Sequence, residues 1–237
     1  MTDEHIIERQ TSRVEVPILE EGQATYFGTV DPGFSLTHIP EKEIAPLKKN
    51  ILSYMDQNFN GLVNYKPELA GHLEHEYRLT REDYDLVAYL MNPILMEYEK
   101  KSKFLAYKPP ELSTSQPGQI VLESAWVNFQ KKYEFNPLHK HRGVYSFVIW
   151  LQIPFKNEDE EECPHCGGAS VPNTCGNFQF VTMTSLGDFQ LTSLPIDNKH
   201  ENYVALFPAR MHHMVNPFYT SDDYRITIAG NYTVQFE

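Results

Sequence analysis

Positive charge is scarce in this chain: 20 Lys and Arg stand against 32 Asp and Glu, a formal net charge of −12 over 237 residues. Gripping a phosphate backbone takes a basic face, so the balance counts against nucleic acid as the partner. It favours a small neutral or cationic substrate, or a side chain on another protein. Long apolar runs are missing too, and none approaches the roughly twenty residues that span a bilayer. The opening Met1-Thr2-Asp3-Glu4-His5 is charged and has no apolar core of a signal peptide. The expectation is a soluble, cytoplasmic protein with no membrane partner. Cysteine is limited to three residues, Cys163, Cys166 and Cys175, gathered in one loop. An odd number cannot all pair, and the set does not look like a disulfide framework. Repeats and low-complexity tracts are also absent, which leaves one domain over 1–237.

What is present changes character once along the chain. Residues 14–19 and 24–30 alternate polar and apolar positions and suggest two short strands. From Glu41 the apolar residues Ile44, Leu47, Ile51, Leu52 and Met55 fall at helical spacing, ending near Asn58-Phe59-Asn60-Gly61. A second helical stripe runs through Leu86, Leu90, Ile94, Leu95 and Tyr98, with Thr80 and Asp83 as a capping pair and Pro93 marking a kink or a fresh start. After Pro109-Pro110 and the polar stretch ending at Gly118, the chain reads as strand: 124–129, 145–153, 178–183, 189–191, 203–207 and 224–234. The expected fold is α+β. Residues 1–117 supply N-terminal strands and supporting helices, and residues 118–237 a double-stranded β-helix, or jelly roll, with the helical layer packed on one face.

The junction Asn136-Pro137-Leu138-His139-Lys140-His141-Arg142-Gly143 leads straight into a strand. Alternation along an extended segment puts His139 and His141 on one side, where two imidazoles can grip one ion. About seventy residues on, beside another apolar run, stand His212 and His213. Two near histidines and a distant one suit non-haem iron or zinc. Twelve residues past His213, Arg225 and Thr227 share a face by the period of two. A guanidinium fork and a hydroxyl there make a cradle for a carboxylate.

The ordered set Trp126-Val127-Asn128, Asn136 to His141, Ser146 to Leu151, Phe207-Pro208, His213-x-Val215-x-Pro217 and Arg225 to Asn231 resembles the 2-oxoglutarate and iron(II) dependent oxygenases common in bacteriophage and marine bacterial genomes, which have a prolyl-hydroxylase-like double-stranded β-helix. The likeness covers roughly residues 120–235. It implies Fe(II) held by His139, His141 and His213, and 2-oxoglutarate as cosubstrate with its distal carboxylate on Arg225 and Thr227. It also implies a polar contact from Asn128, a pocket walled by Trp150, and hydroxylation of an unactivated C–H bond, peptidyl proline being one candidate. If the gene is phage-borne, the compartment is the host cytoplasm. The sequence departs from the usual facial triad of that superfamily, since His141 stands where Asp or Glu is expected. That keeps a three-histidine dioxygenase of the cupin type, without 2-oxoglutarate, as an alternative. A non-catalytic jelly-roll module is another.

The pattern Phe-Pro...His-x-Val-x-Pro favours His213 over His212 as the distal ligand, leaving His212 at the surface. Cys163, Cys166 and Cys175 with His165 or His200 could together hold zinc, but no second Cys-x-x-Cys knuckle is present, and the plainer reading is a Gly-rich flap behind the acidic run 158–162. The segment Gly71-His72-Leu73-Glu74-His75-Glu76-Tyr77 reads as solvated and polar.

Overall fold

The computed structural model describes residues 11–13, 15–27, 33–102, 118–166, 173–184 and 186–236. Its strands are β1 Thr11–Arg13, β2 Ala24–Phe27, β3 Phe34–His38, β4 Val63–Asn64, β5 His75–Arg78, β6 Gly118–Gln130, β7 Asn136–His139, β8 Tyr145–Gln152, β9 Phe178–Met183, β10 Phe189–Leu194, β11 Tyr203–Pro208, β12 His212–Val215 and β13 Arg225–Phe236. Helices are few: α1 Glu41–Asp56, α2 Arg81–Ser102 and the short α3 Asn157–Glu162. One sheet has the order β1-β10-β9-β12-β7 and the other β2-β3-β11-β8-β13-β6-β5-β4. Apart from the parallel β1–β10 pair, neighbouring strands are antiparallel.

Period-two alternation sorts the strand residues onto two faces. On β8, Val148 and Trp150 join Phe34, Phe178, Phe180 and Phe207 in a core between the sheets. Their neighbours Phe147, Ile149 and Leu151 join Ile226 and Ile228 of β13 on the opposite face, where α1 and α2 cover them with Ile44, Leu47, Ile51, Val87, Leu90 and Met91. Each such side chain taken fully out of water contributes about 1.5–3 kcal/mol. A strand buried on both faces must be apolar throughout, which is why Tyr145–Gln152 shows so little polar alternation.

Both long helices stand where their periodicity puts them. Thr80 caps α2, its Oγ1 accepting from the Asp83 amide at 3.2 Å and donating to the Asp83 carboxylate at 2.7 Å. Pro93 lies inside an unbroken helix rather than at a new start.

Several expectations need correction. The alternating residues 15–19 form no strand, whereas β3, whose Phe34, Ser35 and Leu36 are all buried, was missed. The "solvated" segment contains β5, paired with β6 from His75↔Phe129 to Arg78↔Trp126. The acidic run is helix α3, and its Glu160 is wholly buried, accepting from the Tyr219 and Thr220 amides and the Thr220 hydroxyl. Cys166 and Cys175 form a disulfide, with Cys163 free. His165 stacks on Tyr219 and His200 bonds Asp197, so neither is drawn to the sulfurs as zinc would require. The boundary at 109–117 and part of the cysteine loop lie outside the described residues. No helix among those described is long and apolar enough to cross a membrane.

Candidate metal centre

His139 ends β7 and His213 lies in β12, and antiparallel pairing sets them directly opposite each other. His141 follows in the turn, where its amide donates to the Ala209 carbonyl at 2.8 Å. The three ring centroids are 4.3 to 5.1 Å apart, and one potential ligand atom from each ring lies within 4.8 Å of the others. That is close enough for one ion to draw all three in. His139 Nδ1 bonds the Pro137 carbonyl at 2.6 Å and His213 Nδ1 the Met211 carbonyl at 2.9 Å. Each bond holds a proton on Nδ1 and leaves the Nε2 lone pair free, the arrangement a ligating imidazole needs. Burial pushes the pKa of all three down, His141 to about 4 and His213 well below the ordinary range, which keeps them neutral and ready to ligate. Phe178 stacks on His213 at 5.4 Å and Phe207 meets it edge-on at 4.9 Å, fixing its plane. His212, by contrast, is exposed.

The histidines open into a narrow cavity, which Trp126, Asn128, Trp150, Arg225 and Thr227 also line. Arg225 is 2 % exposed, with its guanidinium carbon 5.6 and 5.5 Å from the rings of Phe155 and Phe218, which stack on each other. Its guanidinium is already partly engaged. Nε and Nη2 both donate to Gln130 Oε1 at 3.1 and 2.7 Å, Nη1 to the Gly176 carbonyl at 2.6 Å, and Nη2 to the Asn216 carbonyl at 2.9 Å. The free bidentate fork expected from sequence is therefore reduced to the charge and one spare Nη1–H. Burial lowers the Arg225 pKa to about 9, with Glu160 opposing, so it stays cationic at neutral pH. Thr227 Oγ1 accepts from Asn128 Nδ2 at 3.2 Å, which leaves its own proton to offer the cavity.

Residues 124–231 match a family model described as "Putative 2OG-Fe(II) oxygenase". The matched segment carries the three histidines, Arg225 and Thr227. That family works with Fe(II) and 2-oxoglutarate, and the three histidines fit an iron site. Similar solved structures include a Pseudomonas putida prolyl-4-hydroxylase, 13 % identical over 84 % of this chain and 91 % of that one, with TM-score 0.48. AviO1 from Streptomyces viridochromogenes Tue57 is 14 % identical over 85 % and 89 %, with TM-score 0.49. A 2OG-Fe(II) oxygenase family oxidoreductase from Burkholderia pseudomallei is 10 % identical over 84 % of each chain, with TM-score 0.43. No curated protein matches the chain.

Two residues that line the site, Gln130 and Asn136, and one beside Asn128, Glu76, escaped the sequence reading. Gln130 completes Trp126-x-Asn128-x-Gln130, and period two alone would have put it on the cavity face beside Arg225. Asn136, at the start of β7, lines the cavity, and its Oδ1 is buried without a partner. Glu76 has no such signal, because nothing in its neighbourhood marks β5 as buried. Its carboxyl is 2 % exposed, and burial raises its pKa to about 7, with Lys66 lowering and Glu134 raising it.

A raised carboxyl pKa makes folding take up a proton between the unfolded value near 4.5 and about 7. Stability should therefore fall as pH rises through that window. Glu76→Gln should match the parent near pH 4.5 and exceed it at pH 8 by about 2 kcal/mol, measured by urea unfolding at the two pH values. Equal differences at both would show that Glu76 is paired or solvated.

Proposed function

We propose that the protein is a 2-oxoglutarate-dependent iron hydroxylase acting on an aliphatic C–H bond of a small molecule or a protein side chain, prolyl residues included. In this reading the two facing sheets are the double-stranded β-helix of a single domain spanning 1–237. His139, His141 and His213 hold the iron, and Arg225, Thr227 and Asn128 receive the distal carboxylate of 2-oxoglutarate. The observation that carries the reading is the meeting, in one cavity, of three neutral histidines with a buried, charged Arg225 beside a hydroxyl.

Iron and 2-oxoglutarate together supply the oxidising chemistry, with 2-oxoglutarate split to succinate and carbon dioxide as dioxygen is reduced. The chain's own residues bind and orient. His139, His141 and His213 would hold the ion and leave the rest of the cavity to the cosubstrate and substrate. The spare Nη1–H of Arg225 and the Thr227 hydroxyl fix one end of the cosubstrate. Trp126, Trp150 and Phe178 wall the cavity from water.

Iron-loaded protein should convert 2-oxoglutarate to succinate slowly without added substrate, and metal chelation should stop it. Succinate and chelator sensitivity are measured directly by chromatography. Oxygen uptake that ignores 2-oxoglutarate would favour a three-histidine dioxygenase instead, and complete silence a non-catalytic module.

A further inference from the structure

Next to Asn128 and Thr227, which the cosubstrate takes up, stand two polar residues that neither metal nor cosubstrate uses, Glu76 and Asn136. Cross-strand register aligns Thr227 of β13, Asn128 of β6 and Glu76 of β5 in one row on one face; Thr227 and Asn128 line the cavity, and Glu76 is next in the row. From the opposite sheet Asn136 of β7 reaches the same edge. Gly71 marks the meeting point: a β-carbon there would stand 2.5 Å from both Glu76 Oε1 and Asn136 Oδ1. Those two oxygens are thus at most twice that distance, about 5 Å, from each other. Two acceptors so placed can share one nitrogen at about 2.8 Å from each.

Glu76 Oε2, Asn128 Oδ1 and Asn136 Oδ1 are all buried with no hydrogen-bond partner. Glu76 and Asn128 are 2 % and 5 % exposed. Buried acceptors without partners call for a donor in the working complex. Arg225, the guanidinium that lines the cavity, already spends four of its five N–H donors on Gln130, Gly176 and Asn216. Glu76 and Gly71 also lie outside the segment 124–231 that carries the family match, so this feature is added to the shared machinery by the N-terminal part of the chain.

We propose that Glu76 and Asn136 form a subsite for a cationic hydrogen-bond donor of the substrate, an ammonium or guanidinium group seated at the edge of the metal-centre cavity. The proposal rests on the functional reading above and narrows its substrate to one carrying positive charge near the oxidised carbon. A cation there supplies the missing donors and stabilises the Glu76 carboxylate, against which Lys66 and Glu134 are the other charges acting on it. The acidic balance of the whole chain would draw such a molecule in.

The chain has two tryptophans, Trp126 and Trp150, and both line this cavity, so intrinsic fluorescence reports its occupancy. Fe(II)-loaded protein under argon is titrated first with 2-oxoglutarate and then with n-butylammonium, n-butylguanidinium or the neutral isostere n-butylurea. The parent should bind the two cations at least about tenfold more tightly than the urea. Glu76→Gln should lose that preference while binding butylurea within about twofold of the parent. Equal affinity for cations and urea in the parent overturns the subsite, as does an undiminished preference in Glu76→Gln. The parent comparison decides alone if the variant does not fold. A response to 2-oxoglutarate without cation preference defeats only the subsite. Cation preference without a response to 2-oxoglutarate supports the subsite and defeats the oxygenase reading.

Discussion

His213→Ala should abolish stoichiometric iron binding, weakening it by well over about 100-fold, since losing even an outer hydrogen-bond partner of a metal ligand costs 10–100-fold. His213 is the ligand candidate with the least freedom: buried, stacked on Phe178, braced by Phe207 and tied through Nδ1 to the Met211 carbonyl. Nothing else in the cavity can take its place, because neighbouring His212 points outward from the same strand. His212→Ala should accordingly leave iron affinity within about twofold. Iron content after desalting, with circular dichroism to show that both variants fold, separates the two. Equal loss in both variants would mean that β12 is simply sensitive to substitution. Loss in His212→Ala alone would move the site to the other face.

Arg225→Ala should leave iron binding almost intact and lower 2-oxoglutarate affinity by roughly 30- to 1000-fold, equivalent to about 2–4 kcal/mol. The same change should cost on the order of 3–5 kcal/mol of stability. It strands Gln130 Oε1 and the carbonyls of Gly176 and Asn216, and leaves buried Glu160 without a neighbouring cation. Arg225→Lys keeps the charge but not the geometry that serves three acceptors at once, so it should recover part of the cosubstrate affinity and little of the stability. Calorimetric titration of 2-oxoglutarate into the iron-loaded variants, alongside urea unfolding, reads both quantities. Unchanged cosubstrate affinity with lowered stability would make Arg225 a purely structural residue.

The site was legible where chemistry repeats at short range. The His-x-His spacing and the shared face of Arg225 and Thr227 follow from the two-residue period of extended chain, and the choice of His213 over His212 from the Phe-Pro...His-x-Val-x-Pro pattern; His139, His141, His213, Arg225 and Thr227 line one cavity, and His212 is exposed. The helices were legible because α1 and α2 bury one regular stripe each. Long-range partners were not. That Gln130 and the Gly176 and Asn216 carbonyls would consume most of the Arg225 donors depends on loops meeting across the fold, and no local pattern carries that information. Glu76 was misread for the same reason. Polarity in a short segment usually means solvent, and only pairing with β6, with Gly71 closing over the edge, buries its carboxyl. Likewise β12 is too short, at four residues, to announce itself in sequence.

The central claim is that one cavity holds iron on three histidines and 2-oxoglutarate against Arg225. Its most direct test is the visible absorption of Fe(II)-loaded protein titrated with 2-oxoglutarate in the absence of oxygen. A weak charge-transfer band that saturates at one 2-oxoglutarate per iron, shifts to higher concentration in Arg225→Ala and vanishes in His213→Ala is the predicted result. Tight iron binding with no band at saturating 2-oxoglutarate would contradict it.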